Sequence, residues 1–152
     1  MFERTIFSDE QNFFRETAAK FIEKEILPNH SKWEKSGLVP KELWLKAGEI
    51  GLLCPNIPIE YGGIGGDFRF NVIVIEELAR VGATGPGFAV HSDIVAPYLI
   101  NYSSQNQKKE YLPKMVKGEI ITAIAMTEPS TGSDLQNIKT RANIKDNKII
   151  LN

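Results

Sequence analysis

The apolar positions near the start of the chain recur at helical spacing. Between Phe14 and Phe21 they lie three or four residues apart, which is the period of a helix with one buried face. Ser8 and Gln11 have the spacing of a capping box, in which each side chain accepts a hydrogen bond from the other residue's backbone N–H. Proline interrupts helical hydrogen bonding, so Pro28 is expected to end the segment. We therefore predict a first helix between Ser8 and Pro28.

The helical pattern continues through four more segments. Asp67 is placed to cap the second of them, and Pro113 is expected to bend the last one or to restrict it to its early turns. The stretch 55–67 contains two prolines before its glycines and is predicted to be a loop with positive φ angles, and 82–87 is a second glycine-rich connection. The predicted segments are 41–50, 68–81, 88–102 and the residues that follow Ser104.

Towards the end of the chain the pattern changes from helical to strand-like. The run 120–126 is apolar and β-branched, which favours a buried strand over a short helix. The runs 140–145 and 148–152 flank Asp146 and Asn147, and this arrangement predicts a tight hairpin. A strand pair this short is marginally stable alone, so we expect the sequence to stop inside a larger β region.

These patterns together predict a mainly α fold. We expect a helical bundle over residues 1–118, and we expect residues 119–152 to form the first strands of a truncated β domain. Trp33 and Trp44 are expected to pack between helices, and His91 is expected to be a buried histidine with its hydrogen bonds satisfied.

Composition and charge narrow the class of protein. Of the 152 residues, 42% are hydrophobic and 24% charged, which is ordinary for a globular chain. The formal net charge is -1, whereas a nucleic-acid binder needs a basic excess for its phosphate contacts. The single cysteine, Cys54, excludes an internal disulfide and a zinc cluster, and we expect it to be buried and inert. No apolar run has the length of a membrane span, so no transmembrane segment is predicted.

The turn 127–133 carries the densest set of hydroxyl groups in the chain. Thr127 and Ser133 supply hydroxyls, while Gly132 would let a ligand approach the main chain closely. Backbone N–H groups in such a turn can bind an anion or a polar ring edge. Serine, threonine, proline and glycine are also the ordinary residues of surface turns. The residues alone therefore favour a surface turn and leave a binding loop as the alternative.

Longer stretches of the sequence resemble a known family. The run MTEPSTGSDLQNIKTRA, residues 126–142, resembles the flavin-site segment of the acyl-CoA dehydrogenases, and 59–67 and 106–119 resemble two other segments typical of that family. The likeness covers essentially the whole chain in order. The stretches 4–15 and 85–95 are most similar to the long-chain members.

The resemblance implies a helical N-terminal domain followed by the start of a middle β domain. It also implies FAD as the cofactor and a fatty acyl-CoA as the substrate, whose Cα–Cβ bond becomes a trans double bond. The implied partners are an electron-transferring flavoprotein and further copies of the chain, as a tetramer or a dimer. The implied compartment is the cytoplasm, or the mitochondrial matrix in a eukaryote.

The resemblance also implies site residues. Thr127 is expected to contact the pyrimidine side of the flavin, and Met126 to pack near the ring. Ser133 is expected to contact both the cofactor and the acyl-CoA. Small residues at Gly85 and Gly87 leave room for a long acyl tail, although they are equally well explained by the turn that they form. The full set of expected flavin-binding residues is Ile124, Ala125, Met126, Thr127, Glu128, Pro129, Ser130, Thr131, Gly132 and Ser133.

Two features qualify this assignment. Ser130 and Thr131 stand where the family usually has glycine and alanine. Glu128 is expected to be a solvated turn residue and not a catalytic base, because the family's base is a glutamate that would lie beyond Asn152. No catalytic residue and no metal site are therefore predicted within this chain. An acyl-CoA oxidase and a helical module that binds an acyl chain or a partner without flavin remain alternative functions.

Overall fold

The computed structural model describes residues 5–146 and 148–152. The described residues form six α-helices and one antiparallel sheet of two strands, which confirms the mainly α fold. π-helical turns continue the first helix and precede the fifth, at Ile22–Ile26 and Val90–Val95. The elements are α1 Asp9–Phe21, α2 His30–Ser36, α3 Lys41–Glu49, α4 Phe68–Arg80, α5 Ala96–Tyr102, α6 Gln105–Val116, β1 Ala142–Lys145 and β2 Lys148–Leu151.

The predicted helix caps are present. Ser8 accepts from the Gln11 N–H at 3.3 Å, and Gln11 accepts from the Ser8 N–H at 3.1 Å. Ser104 and Gln107 form the same reciprocal pair at the start of α6, and Asp67 caps α4. Each cap satisfies N–H groups that have no partner within the helix, which fixes where the helix begins.

Helices α1 and α4 pack against each other and contribute to the main hydrophobic core. Phe14 and Phe70 meet edge to face across this contact, with ring centroids 5.1 Å apart. As predicted, Trp33 and Trp44 are buried in the same core, and Trp44 lies edge to face against Phe88. A second cluster of buried residues lies around α6 and comprises Cys54, Ile57, Tyr61, Ala96, Leu112, Met115 and Val116.

Ion pairs reinforce the contact between α1 and α4. Arg15 lies 2.8 Å from Glu76 and 2.9 Å from Glu77, and Arg80 lies 2.8 Å from Glu77. Glu77 is almost completely buried between the two guanidinium groups. Arg80 also reaches Glu23, 3.1 Å away. A buried carboxylate needs such partners, because removing its charge from water is otherwise costly.

Glycines allow α3 to approach the turn that follows α6 very closely. A Cβ atom on Gly48 would lie 2.4 Å from the carbonyl carbon of Lys117. A Cβ atom on Gly118 would lie 2.2 Å from the carbonyl oxygen of Trp44, and Gly118 also has a φ of +71°. Both distances are too short for any side chain, so this approach of two backbones requires glycine on each side.

The structure corrects two predictions about the helices. Helix α2 was not predicted, because its seven residues are too few to show a clear period. Of the two effects expected of Pro113, restriction of its helix to the early turns does not occur, since α6 continues to Val116, while a bend at the proline stays a prediction. Leu112 and Met115 are completely buried on either side of the proline. Their packing stabilises the last turn in spite of the missing N–H.

The predicted strand over 120–126 is not formed in the described part of the chain. Its backbone bonds instead to the helical bundle, where the Thr122 N–H donates to Nδ1 of His91 at 3.3 Å. A strand requires a neighbour that continues its ladder of hydrogen bonds. No described segment pairs with 120–126 in this way.

The predicted hairpin is confirmed. Strands β1 and β2 pair antiparallel, with Ala142 opposite Leu151 and Ile144 opposite Ile149. Asp146 has a φ of 49°, as a tight turn requires. The prediction for Asn147 lies outside the described residues. The hairpin side chains are exposed, including those of Ile144 and Ile149.

Candidate functional site

The loop 127–140 closes on itself through backbone hydrogen bonds. The Glu128 N–H donates to the Thr131 carbonyl at 2.9 Å, and the Thr131 N–H donates to the Glu128 carbonyl at 3.0 Å. Pro129 and Ser130 lie at the exposed tip of this turn. Because proline has a fixed φ, it stiffens the tip.

Thr131 is the one buried residue of this turn, with 3% of its surface exposed. Its hydroxyl donates to the Asn137 carbonyl at 2.9 Å. The hydroxyl is therefore used within the chain and holds the turn against the short helical turn Leu135–Asn137. Sequence reasoning treated Thr131 as a departure from a small residue and did not predict this contact.

The side chain of Glu128 bonds the turn to the residues that precede β1. One carboxylate oxygen accepts from the Lys139 N–H at 2.9 Å, and the other accepts from the Thr140 N–H at 3.0 Å. Hydrogen bonding from Thr140, followed by that from the Lys139 N–H, holds the pKa of the Glu128 carboxyl below its usual range. Both oxygens are thus occupied and the carboxylate has a low affinity for a proton, which does not suit a general base.

Several donors in the loop remain open. Thr127, Gly132 and Ser133 are exposed. Among the described residues, the hydroxyls of Thr127 and Ser133 and the N–H groups of Gly132 and Ser133 make no hydrogen bond within the chain. A Cβ atom on Gly132 would meet nothing within 4 Å. The loop therefore presents free donors beside an open glycine. Its backbone is held in place by the hydrogen bonds of Glu128 and Thr131.

The remaining residues of the predicted site lead into or lie along the same loop. Ile124 is half-buried, whereas Ala125 and Met126 are exposed on the segment that enters the turn. Met126 is 40% exposed, so an apolar side chain faces outward next to Thr127. An exposed apolar group beside polar donors is suited to a ligand with a flat apolar ring and a polar edge.

The two glycines proposed for the acyl tail have different surroundings. Gly85 lies in an open, largely apolar groove of about 480 Å³ that Trp33, Leu38 and Ile121 also line. Its N–H donates to Nε2 of His30 at 3.1 Å, a contact that the sequence did not predict. Gly87 has a φ of +65°, so the turn by itself requires glycine there.

Two polar side chains elsewhere are buried and satisfied, as expected. His91 is completely buried, with Nδ1 2.9 Å from the Thr122 hydroxyl and Nε2 3.1 Å from the Met115 carbonyl. Burial lowers the pKa of His91 and raises the pKa of the Cys54 thiol to about 12. Both groups are therefore neutral at pH 7 and are not placed for catalysis.

Comparison with known proteins assigns the family. Residues 8–119 match the family described as "Acyl-CoA dehydrogenase, N-terminal domain". The chain belongs to the acyl-CoA dehydrogenase family. This membership confirms the resemblance that the sequence motifs indicated.

Individual family members are similar over almost the whole chain. The mitochondrial long-chain specific acyl-CoA dehydrogenase of Sus scrofa is 52% identical over 149 residues, which are 98% of this chain and 35% of that protein. The crystal structure of acyl-CoA dehydrogenase from Geobacillus kaustophilus superposes with a TM-score of 0.92 at 45% identity, over 99% of this chain and 40% of that one. This chain thus spans about a third of the length of the curated relatives that it matches.

One similar structure includes the cofactor in its description. The acyl-CoA dehydrogenase of Bacillus anthracis complexed with FAD superposes with a TM-score of 0.85 at 33% identity, over 99% of this chain and 26% of that one. The loop of this acyl-CoA dehydrogenase family member fits a flavin in the chemistry of its groups. Its free donors suit the carbonyl edge of the ring, and the open space at Gly132 suits a close approach.

Two other kinds of feature are absent from the described part of the chain. The described residues contain no cluster of histidine, cysteine, aspartate and glutamate that could hold a metal ion. None of the helices in the described part of the chain is long and apolar enough to cross a membrane.

Proposed function

We propose that this chain is the N-terminal part of an FAD-dependent acyl-CoA dehydrogenase that oxidises the Cα–Cβ bond of a long-chain fatty acyl-CoA. The observation that carries the proposal is the loop 127–133, whose free donors surround an open glycine in a chain of this family. The electron acceptor is an electron-transferring flavoprotein. The protein resides in the cytoplasm, or in the mitochondrial matrix in a eukaryote.

The proposal assigns a role to each part of the chain. Residues 1–118 form the helical domain, and residues 119–152 form the beginning of the middle β domain. The name of the Sus scrofa relative supports the preference for long chains. The Bacillus anthracis structure supports FAD, since it is described as complexed with that cofactor.

The loop would bind the flavin through polar contacts and position it through its rigid backbone. Thr127 donates to the pyrimidine edge of the ring, and Met126 packs beside the ring. Ser133 donates to the cofactor and to the acyl-CoA. When bound, FAD would accept a hydride from the substrate as the Cα–Cβ bond becomes a double bond, and the second hydrogen would leave as a proton to the base that we expect beyond Asn152. Fixed donors at the ring edge favour the reduced state, because they stabilise the negative charge that develops there.

The substrate would enter on the side of the helical bundle. Gly85 has no side chain, so it leaves space in the apolar groove that it shares with Trp33 and Ile121. Apolar side chains form most of the lining of this groove, which suits methylene groups, and Glu34 is the charged residue in that lining. We assign Gly85 and Gly87 to the part of the site that accommodates the acyl tail.

Replacing Thr127 in the longer protein tests the cofactor assignment. We expect Thr127→Ala to weaken FAD binding by about 1–3 kcal/mol, because it removes one hydrogen bond in a site that excludes water. Fluorescence titration of the flavin-free protein measures the change. Thr17→Ala is the matched control, since it removes an exposed hydroxyl from α1 that bonds only to the Phe13 carbonyl. Equal affinities in the two variants would contradict the role of Thr127.

The acceptor can be tested separately. The reduced flavoenzyme should react slowly with oxygen and quickly with an electron-transferring flavoprotein. Rapid reoxidation by oxygen would identify an oxidase instead. A full-length protein that contains no flavin would instead support the remaining alternative, a helical module that binds an acyl chain or a partner without a cofactor.

The 152-residue chain on its own is expected to hold FAD weakly and to be catalytically inactive. The donors of its loop lie on an open surface, where water competes with every contact. The exposed apolar side chains of the hairpin are also expected to promote self-association along its edges. Titrating FAD into the purified chain measures this. Stoichiometric binding at micromolar concentration, or turnover of an acyl-CoA with an artificial acceptor, would contradict the prediction.

A further inference from the structure

The side chain of Glu128 makes contacts that a solvated turn residue does not need. Its two carboxylate oxygens accept from two consecutive backbone N–H groups, those of Lys139 and Thr140, at 2.9 and 3.0 Å. Its own N–H and carbonyl are both bonded to Thr131. Glu128 therefore connects the beginning of the loop to its end, 11 and 12 residues away.

A second connection lies inside the first. The buried Thr131 hydroxyl bonds to the Asn137 carbonyl at 2.9 Å, and Asn137 bonds in turn to Asp134. Along the chain, Thr127 immediately precedes the first connection, whereas Ser133 lies inside both. The distance between them depends on a turn whose two sides are held by Glu128 and Thr131.

We propose that Glu128 is a positioning residue for the cofactor loop: its carboxylate clamps the two N–H groups and so fixes the donors of Thr127 and Ser133 before any ligand binds. The inference rests on the proposed function, since it concerns the same loop. The positioning role makes two demands that the proposed function does not make. The clamp must exist in the chain without cofactor, and it must raise the affinity for flavin without touching the flavin.

The chemistry of a carboxylate explains why glutamate suits this position. Two N–H groups that point the same way need two acceptors, and an ionised carboxylate supplies both. A glutamine has one acceptor oxygen, and its NH2 group would face the second N–H. The chain thus gains a rigid loop from one side chain, and rigidity before binding reduces the entropy that a ligand must overcome.

The ionisation of Glu128 provides a signature of the clamp. Because hydrogen bonding lowers the carboxyl pKa in the folded loop, the clamp's contribution to stability is fully present above the pKa of a free glutamate, about 4.3. It is lost as the pH falls through the lower pKa of the folded loop. The charge that acts on this carboxylate is that of Lys139, which favours ionisation.

The first experiment measures the clamp in the 152-residue chain by NMR. We expect the amide protons of Lys139 and Thr140 to titrate together, with a midpoint below that of a free glutamate. In Glu128→Gln that titration should vanish, and at least one of the two amides should exchange with solvent about tenfold faster or more. Glu119→Gln is the matched control, because it removes the same charge from an exposed side chain nine residues earlier. It should leave both amides unchanged.

The second experiment measures flavin affinity in the longer protein. We expect Glu128→Gln to weaken FAD binding about tenfold, with unchanged helical unfolding by circular dichroism. Absent titration of the two amides would overturn the clamp itself. A lost clamp with unchanged FAD affinity would overturn the positioning role while leaving the proposed function intact. A wild-type protein that binds no flavin would overturn the proposed function, and the positioning role with it.

Discussion

Replacing Gly132 with valine is expected to abolish most flavin binding while leaving the chain folded. A Cβ atom at this position meets no atom of the chain within 4 Å, so the chain itself has room for the side chain. The proposed flavin would use that room. Steric overlap in a packed site costs roughly 1–3 kcal/mol, which corresponds to about a ten- to hundredfold loss of affinity.

The measurement combines flavin absorbance of the purified longer protein with thermal unfolding of the 152-residue chain. Unfolding should change by less than about 0.5 kcal/mol, as for an exposed surface substitution. Gln136→Val is the control, because it places the same valine side chain at an exposed position of the same loop. Full flavin content in Gly132→Val would show that the ring does not approach the loop here. A large loss of stability would show that the glycine serves the chain instead.

Replacing Gly118 with alanine is expected to destabilise the helical bundle by roughly 2–5 kcal/mol. The new Cβ, whose position the backbone fixes, would lie 2.2 Å from the Trp44 carbonyl oxygen, so no side-chain rotation can relieve the contact. Overpacking costs about 1–3 kcal/mol, and the left-handed conformation costs about 1–2 kcal/mol for a residue with a side chain. Urea unfolding of the 152-residue chain, followed by circular dichroism, measures the sum.

Gly82→Ala separates the two causes. Gly82 has a φ of +68°, close to that of Gly118, but a Cβ there would meet nothing within 4 Å. Its alanine variant should therefore carry only the conformational cost, about 1–2 kcal/mol. Equal losses of unfolding free energy in the two variants would mean that the turn after α6 moves away from α3 and that the contact with Trp44 adds no steric cost.

The helix starts could be predicted from the sequence because their signals are local. The capping boxes at Ser8 and Ser104 involve residues three apart, so the same few residues that form the pattern also form the bonds. The hairpin belongs to the same class, because its register follows from two short runs and the turn between them. The family could be predicted for a related reason, since its motifs are continuous stretches such as 126–142.

Predictions failed where distant residues decide the outcome. Pro113 disfavours a helix locally, yet α6 continues because the buried Leu112 and Met115 hold its last turn. The run 120–126 has strand propensity, yet its Thr122 bonds to His91 of a helix 31 residues away. Local preference sets only a small free energy in each case, and tertiary packing outweighs it.

The candidate loop shows the same division. Its sequence determined which donors are available, because Thr127, Gly132 and Ser133 are chemically suited to a flavin whatever their arrangement. Only the tertiary structure decided which groups are free and which are hydrogen-bonded within the chain. Thr131 turns inward to Asn137, and Glu128 binds the backbone 11 and 12 residues away. Residue types fix what a side chain can bond to, but the fold brings particular partners within reach, and a hydrogen bond depends on that distance.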